Sequence, residues 1–112
     1  MNVQRFSINE TRDAVTQAYA PVELARVDDF AVRFVKFRGE FERWPAHENE
    51  DESFIVLAGE VNFQTEVGDD FVKAGEGIVI PQGLRHCPKA ADAGEMPVAL
   101  IIERAVTKRL GD

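Results

Sequence analysis

Cysteine is almost absent from this chain of 112 residues. Cys87 is the single one, so an internal disulfide is excluded, and we expect this residue to pack as a small apolar side chain. One lone cysteine is typical of a reducing compartment and predicts the cytoplasm. The longest apolar runs, "FIVLA" and "VALII", have five residues each and are too short to cross a bilayer. The start, "MNVQRFSINE", lacks the apolar segment of a signal peptide.

Positive charge is also scarce. Lys and Arg number 13 against 20 Asp and Glu, which gives a formal net charge of −7. Nucleic acids and anionic membranes both need a basic patch on their partner. The one basic stretch, "TKRL" at 107–110, is too short to form such a patch. We therefore expect neither nucleic acid nor a membrane as a partner.

Short strand patterns separated by Gly and Pro fill most of the sequence. Before them, "SINE" forms a capping box with Ser7 as N-cap, which predicts a short helix to about Gln17. A turn is expected at "DD" (28–29) and a hairpin at "VGDD" (67–70). The predicted strands are 22–27, 30–38, 53–58, 61–67, 71–74, the stretch before Pro81, and 96–104. Many short strands with such turns are typical of an all-β barrel or sandwich.

Several of these strands are apolar on both faces. In the last strand, Val98 and Leu100 alternate with Ala99 and Ile101, and 30–37 shows the same pattern. A strand with one solvent-exposed face should instead alternate apolar and polar residues. A domain of this size has one interior, so the outer faces need another cover, and a second copy of the chain is the simplest one. The pattern therefore predicts a homodimer.

Both histidines of the chain stand in a regular framework of glycine, proline and glutamate. The first set, with five, one, four and six residues between its members, is Gly39, Pro45, His47, Glu52 and Gly59. The second set, with five, one and two residues between its members, is Gly75, Pro81, Gly83 and His86.

These two sets resemble the paired motifs of the cupin family, G-x5-H-x-H-x(3,4)-E-x6-G and G-x5-P-x-G-x2-H-x3-N. The resemblance covers about residues 30–104 and is closest to small single-domain bacterial cupins, some of which carry names such as mannose-6-phosphate isomerase-like. It implies an antiparallel jelly-roll β-barrel with a short N-terminal helix. We expect one cupin domain over 1–112, with a helical segment at 1–21, the barrel at 22–104 and a tail at 105–112.

Two positions depart from the family pattern. Pro45 stands in the place of the first metal-binding histidine, and Ala90 in the place of the closing asparagine. Proline has no side-chain donor atom, so the resemblance implies a reduced metal-ligand set of His47, Glu52 and His86. Two histidines and one carboxylate with open positions suit non-haem iron, and also zinc or manganese. The expected cofactor is a divalent Fe, Mn, Ni or Zn ion, or none if the missing ligand has abolished binding.

A second alignment of the first motif places His47 in the first histidine position and Asn49 in the second. It misses the family spacing on both sides, and we reject it, although the Asn49 amide oxygen could still reach an ion. The other carboxylates of the run, Glu48, Glu50 and Asp51, are interpreted as solvent-exposed.

Three functions are consistent with the sequence. The first is a metal-dependent enzyme that acts on a small molecule, with Glu42 or another carboxylate at the barrel mouth as acid or base. The second is a non-enzymatic cupin that binds a small ligand after its metal site has decayed. The third is a dimeric interaction module with a filled barrel. We predict a metal-binding cupin that binds or acts on an unidentified small molecule, and the sequence does not decide whether it is an enzyme.

Overall fold

One helix and eight antiparallel strands form the regular structure of residues 1–47 and 50–106, the ranges that this computed structural model describes. The helix α1 spans Ile8–Ala14. The strands are β1 Val22–Val27, β2 Phe30–Lys36, β3 Glu52–Ala58, β4 Glu60–Thr65, β5 Gly68–Lys73, β6 Gly77–Ile80, β7 His86–Lys89 and β8 Val98–Arg104. They form one sheet in the order β1-β2-β8-β3-β6 and another in the order β5-β4-β7. The predicted all-β antiparallel barrel with a short N-terminal helix is confirmed.

The core lies between the two sheets. Phe54 on β3 and Phe63 on β4 meet there, with ring centroids 4.7 Å apart. Full burial of one such side chain contributes about 1.5–3 kcal/mol to folding. The buried core cluster comprises Val35, Phe37, Phe54, Val56, Val61, Phe63, Val72, Ile80, Ala99 and Ile101.

The N-terminal helix is shorter than the sequence predicts. Ser7 caps it as expected, because its side-chain oxygen accepts a hydrogen bond from the Glu10 N–H at 3.1 Å. The helix ends at Ala14 instead of about Gln17, since Val15 already has an extended backbone conformation. A β-branched side chain loses rotamer freedom in a helix, which favours an early end at this position.

Lys36 on β2 forms hydrogen bonds with the end of this helix and with the segment that follows it. Its ammonium group donates hydrogen bonds to the carbonyl oxygens of Arg12 and Val15, at 2.7 and 2.6 Å, which the end of the helix leaves without partners. Its own carbonyl accepts a bond from the Tyr19 N–H at 2.8 Å. Tyr19 has a φ of 58°, which is uncommon for a residue other than glycine, and this contact helps to hold it there.

The hairpin between β4 and β5 turns earlier than predicted. Thr65 pairs with Gly68, so the turn consists of Glu66 and Val67, and most of the predicted "VGDD" turn belongs to β5. The Thr65 hydroxyl accepts a hydrogen bond from the Val67 N–H at 3.2 Å and donates one to the Gly68 carbonyl at 2.7 Å. These two bonds favour the tighter two-residue loop.

The sequence pattern misses strand β7 because Pro88 lies within it. Proline cannot donate a ladder hydrogen bond and is confined to edge strands or strand ends. Strand β7 satisfies this rule, since it forms the edge of the three-stranded sheet beside β4. His86 therefore lies at the start of a strand that faces the five-stranded sheet.

Some sequence predictions fall on residues outside the described ranges. These are Glu48 and Asn49 of the acidic run and the "TKRL" stretch of the predicted tail. Within the described ranges, no helix has the length and apolar character that crossing a membrane requires.

Candidate metal centre

His47, Glu52 and His86 converge in the interior of the barrel. The Glu52 carboxylate oxygen Oε1 lies 3.0 Å from His86 Nε2 and 3.6 Å from His47 Nε2. All three side chains are buried, and one donor atom of each lies within 4.8 Å of the others. The three residues that the sequence singled out thus form one cluster that is able to hold a metal ion.

Each member of the cluster comes from a different part of the fold. Glu52 begins β3, His86 begins β7 in the other sheet, and His47 belongs to the connection between β2 and β3. Two backbone hydrogen bonds join this connection to the start of β7. The His86 N–H donates to the Pro45 carbonyl at 3.1 Å, and the Gly83 N–H donates to the His47 carbonyl at 2.8 Å. Pro45 therefore helps to place His86 although it offers no side-chain ligand.

A backbone carbonyl orients the His86 ring. His86 Nδ1 lies 3.1 Å from the Leu84 carbonyl oxygen, which can only accept, so Nδ1 carries a hydrogen. In the neutral ring the Nε2 lone pair then points at the Glu52 carboxylate oxygen 3.0 Å away. Two acceptors that face each other need a cation between them, either a proton or a metal ion. A histidine that donates its second nitrogen to a carbonyl is the usual arrangement of a metal ligand.

The two distances from Glu52 to the histidines also fit a bound ion. Ligand nitrogen and oxygen atoms lie about 2.0–2.2 Å from zinc, so two donors on one ion are at most about 4.4 Å apart. The separations of 3.0 and 3.6 Å satisfy this limit. The donor set also fits, because neutral imidazole with carboxylate suits Zn, Fe and Mn.

A second carboxyl group, Glu103, faces Glu52 across the sheet. Ser53 pairs with Ile102 in the β3–β8 ladder, so Glu52 and Glu103 are the next opposed residues. Glu103 is only 5% exposed, and its carboxyl lies within hydrogen-bonding reach of Glu52. Sequence reasoning missed it, although alternation along β8 puts it on the same face as the buried Ile101.

Arg33 on β2 holds the Glu103 carboxyl in place. Its Nη1 donates to Glu103 Oε1 at 2.6 Å, and its Nη2 donates to the Ala105 carbonyl at 2.7 Å. The Arg33 and Glu103 side chains are 15% and 7% exposed, so this contact is largely buried. Sequence reasoning missed Arg33 as well, although it shares a strand face with the buried Ala31 and Val35.

The two neighbouring carboxyl groups have opposite protonation preferences. Burial raises the pKa of Glu52, but hydrogen bonds with His47 and His86 outweigh burial and hold this pKa well below the usual carboxyl range. Burial, and then the hydrogen bond and charge of Glu52, raise the pKa of Glu103 well above that range despite the opposing effect of Arg33. At neutral pH Glu52 is therefore ionised, as a metal ligand must be.

A cavity of about 250 Å³ opens beside the cluster. Glu52 and His86 reach its wall, together with Arg33 and Glu103. Pro45 also lines it, so the position that lacks a ligand lies on the cavity side of the cluster. The apolar part of the wall includes Val35, Phe37, Phe41, Phe54 and Ile101.

The remaining carboxylates that the sequence analysis considered lie elsewhere. Asp51 is exposed, as expected, and accepts a hydrogen bond from the Gln82 N–H at 2.9 Å. Glu50 is half-buried, which is less exposed than expected. Glu42 is exposed and borders a second, more open cavity on the outside of the barrel. It is not among the described residues that line the cavity beside the cluster.

An antiparallel barrel with a buried His–Glu–His cluster on its inner wall defines the class of this protein. The model of the cupin domain family Cupin_2 matches residues 37–102, and the chain belongs to this family. The uncharacterized protein YdbB of Bacillus subtilis (strain 168) is 36% identical over 73 residues, which are 64% of this chain and 64% of that protein. The chain thus spans less than two thirds of the length of this curated relative.

Solved structures show the same fold. A cupin-2 domain containing protein from Shewanella frigidimarina NCIMB 400 superimposes with a TM-score of 0.81 at 33% identity, over 88% of this chain and 92% of that one. A hydroquinone 1,2-dioxygenase, PnpCD, in complex with Cd²⁺ and 4-hydroxybenzonitrile, superimposes with a TM-score of 0.73 over 96% of this chain and 75% of that one. Its identity of 18% makes this second likeness one of fold alone.

Proposed function

We propose that this cupin holds a divalent metal ion through His47, Glu52 and His86 and binds a small molecule in the adjoining cavity. The observation that carries the proposal is the orientation of His86, whose Nε2 the Leu84 carbonyl directs at the Glu52 carboxylate. This is the usual arrangement of a histidine metal ligand, which donates its second nitrogen to a carbonyl or carboxylate.

The residues around the cluster support ligand binding as well as metal binding. A divalent ion bound there would supply a Lewis acid with open coordination positions. The Arg33–Glu103 pair buttresses Glu52 from the neighbouring strand and so limits the movement of its carboxylate. Pro45 leaves one side of the cluster open towards the cavity, where an oxygen atom of a small molecule can approach.

Elemental analysis tests the metal site. We expect close to one Fe, Mn, Ni or Zn ion per chain in untagged protein that was purified without nickel-affinity chromatography. His86→Ala and His47→Ala should each abolish retention of the ion after dialysis. Asp51→Asn is the matched control, since it changes an exposed carboxylate beside Glu52 and should leave the metal content unchanged. Wild-type protein that is metal-free and stays so after incubation with each ion would refute the proposal.

A restored histidine tests the assignment of the fourth position. Pro45 is buried and lines the cavity, so an imidazole there would face the cluster. We expect Pro45→His to bind zinc more tightly than the wild type, measured by competition with a fluorescent chelator. An unchanged affinity would mean that Pro45 does not occupy the position of the family's first histidine.

The same cavity also supports a second function, the metal-independent binding of a small ligand. Pro45 favours it, because the family's full ligand set is incomplete in this chain. Stabilisation by a metabolite in the presence of EDTA, measured by thermal shift, would identify this function. The cavity counts against the third function, an interaction module with a filled barrel.

We also propose that the chain forms a homodimer through the outer face of the five-stranded sheet. Most residues in the rows of this face are apolar: Val32 pairs with Ile102, and Ser53 is the one polar residue between Ile102 and Val79. Exposed members of the face are Val27, Phe30, Ile55 and Val79. A two-fold axis would set this face against its own copy, which is equally apolar.

Light scattering after gel filtration tests the dimer. The wild type should have twice the mass of the chain, and the double variant Ile55→Lys, Val79→Lys should be monomeric. Asp70→Lys is the control, because Asp70 is exposed on the other sheet. A wild type that is monomeric at high micromolar concentration would refute this assembly.

The proposed cellular location is the cytoplasm. Cys87 is a free, buried thiol, which a reducing compartment preserves. A fluorescent fusion of the chain in its native host should distribute through the cytoplasm, and export of the fusion would contradict the proposal.

A further inference from the structure

We propose that the cavity selects a largely apolar molecule of about one substituted ring, which presents oxygen atoms to the metal, and that it rejects ligands carrying a carboxylate or phosphate away from the metal. This inference rests on the proposed metal site and names the class of molecule that the site accepts. It excludes sugar phosphates, which the names of some similar small cupins would suggest.

The size of the cavity sets the first limit. A closed apolar cavity of about 150 Å³ is enough to hold benzene. The cavity here measures about 250 Å³, so it has room for one ring with small substituents. A disaccharide or a nucleotide would extend beyond this space.

The cavity wall away from the cluster is apolar. Its side chains include Phe37, Phe41, Phe54 and Ile101. Sugar hydroxyl groups placed against these side chains would lose their water without gaining hydrogen-bond partners. An apolar ring instead gains contact with them.

Tyr19 belongs to this apolar wall despite its hydroxyl group. The hydroxyl donates to the Gly39 carbonyl at 2.6 Å, with the Pro88 carbonyl oxygen 3.3 Å away. Its ring packs against Phe37 and Phe41, at centroid distances of 5.8 and 4.9 Å. Tyr19 therefore offers the cavity an aromatic surface, since its hydroxyl is already bonded to the backbone.

The charge of the cavity wall also limits which ligands can bind. Among the described residues that line the cavity, Arg33 is the single lysine or arginine. Its two guanidinium nitrogens already bind Glu103 and the Ala105 carbonyl, at 2.6 and 2.7 Å. An anionic ligand would have to break this pair and approach the Glu52 carboxylate. Away from the proposed metal ion, a phosphate or carboxylate needs free donors or cations, and this wall presents none among its described lysine and arginine side chains.

Two probes with the same metal-binding diol test the inference. These are 4-methylcatechol, whose remaining substituent is apolar, and 3,4-dihydroxybenzoate, whose substituent is a carboxylate. Both are titrated by calorimetry into the zinc-loaded full chain, whose zinc content is measured first. We expect 4-methylcatechol to bind at least tenfold more tightly. Equal or tighter binding of 3,4-dihydroxybenzoate, or no binding of either probe to zinc-loaded protein, would overturn the inference and leave the metal site intact. A chain that takes up no zinc would instead overturn the proposed function.

A pair of variants at the mouth tests the role of charge. Pro21 is half-buried and borders both the inner cavity and the outer one. Pro21→Lys adds a cation there, and we expect it to raise the affinity for 3,4-dihydroxybenzoate at least fivefold. Pro21→Met has similar length without charge and should leave the affinity ratio of the probes unchanged. Equal ratios in the two variants would show that charge at the cavity does not determine selection. If either variant fails to fold, the affinities of the two probes for the wild-type protein still test the inference.

Discussion

The contributions of Arg33 and Glu103, beside the cluster, to the free energy of unfolding should be strongly coupled. Arg33→Met removes two hydrogen bonds from a charged donor, at 2.6 and 2.7 Å, and leaves Glu103 without its main partner. Hydrogen bonds of this kind contribute about 1.5–3 kcal/mol each. We expect Arg33→Met to lower the free energy of unfolding by about 3–5 kcal/mol, because it removes both bonds, and Glu103→Leu to lower it by about 1.5–3 kcal/mol, because it removes one. The double variant should lose at least about 1 kcal/mol less than the sum, because both single variants remove the same Arg33–Glu103 hydrogen bond.

Urea denaturation in EDTA, followed by far-UV circular dichroism at pH 7, measures this coupling without a bound metal. The chain provides its own control in Arg26 and Glu23, whose side chains meet at 2.9 Å but are 53% and 38% exposed. An exposed pair contributes about 0–1 kcal/mol, so Arg26→Met should change stability little. If the losses of the two single variants at the buried pair simply add within about 0.5 kcal/mol, the assignment of a coupled pair is wrong.

Three further predictions concern the fold. Burial raises the pKa of the Cys87 thiol, so less of the reactive thiolate forms at pH 8. Ellman's reagent should therefore react with Cys87 only after denaturation. Rapid reaction of the native protein would contradict this. Gly59→Ala should destabilise the protein more than Gly75→Ala in urea: both positions have positive φ, but a Cβ at Gly59 would lie 2.9–3.0 Å from Pro97, whereas Gly75 has open space. Equal losses would exclude the steric contact. Lys36→Met should lower the free energy of unfolding by about 2–3 kcal/mol, because two partly buried carbonyls lose a charged donor. A thermal midpoint equal to that of the wild type would refute this.

The local order of residues predicted most of the strands and the three residues that form the candidate metal cluster. Alternating apolar residues and Gly or Pro breaks are short-range signals, so they predicted β1 at Val22–Val27 correctly. The spacing around His47, Glu52 and His86 carries the family's geometry, and these residues do form one cluster. The helix end, the turn after Thr65 and strand β7 were wrong or missed. Each depends on a contact that no local pattern records, such as the edge position that tolerates Pro88.

The surroundings of the cluster could be decided only by the tertiary structure. Alternation puts Arg33 and Glu103 on inward faces, but it does not say which strands are neighbours. The pairing of β8 with both β2 and β3 brings Arg33, Glu103 and Glu52 side by side, although they are far apart in sequence. The volume and apolar wall of the cavity likewise depend on how the two sheets pack. The sequence by itself therefore determined which residues can bind a metal. The tertiary structure decided what surrounds them, because charge and space at a site are properties of the assembled strands.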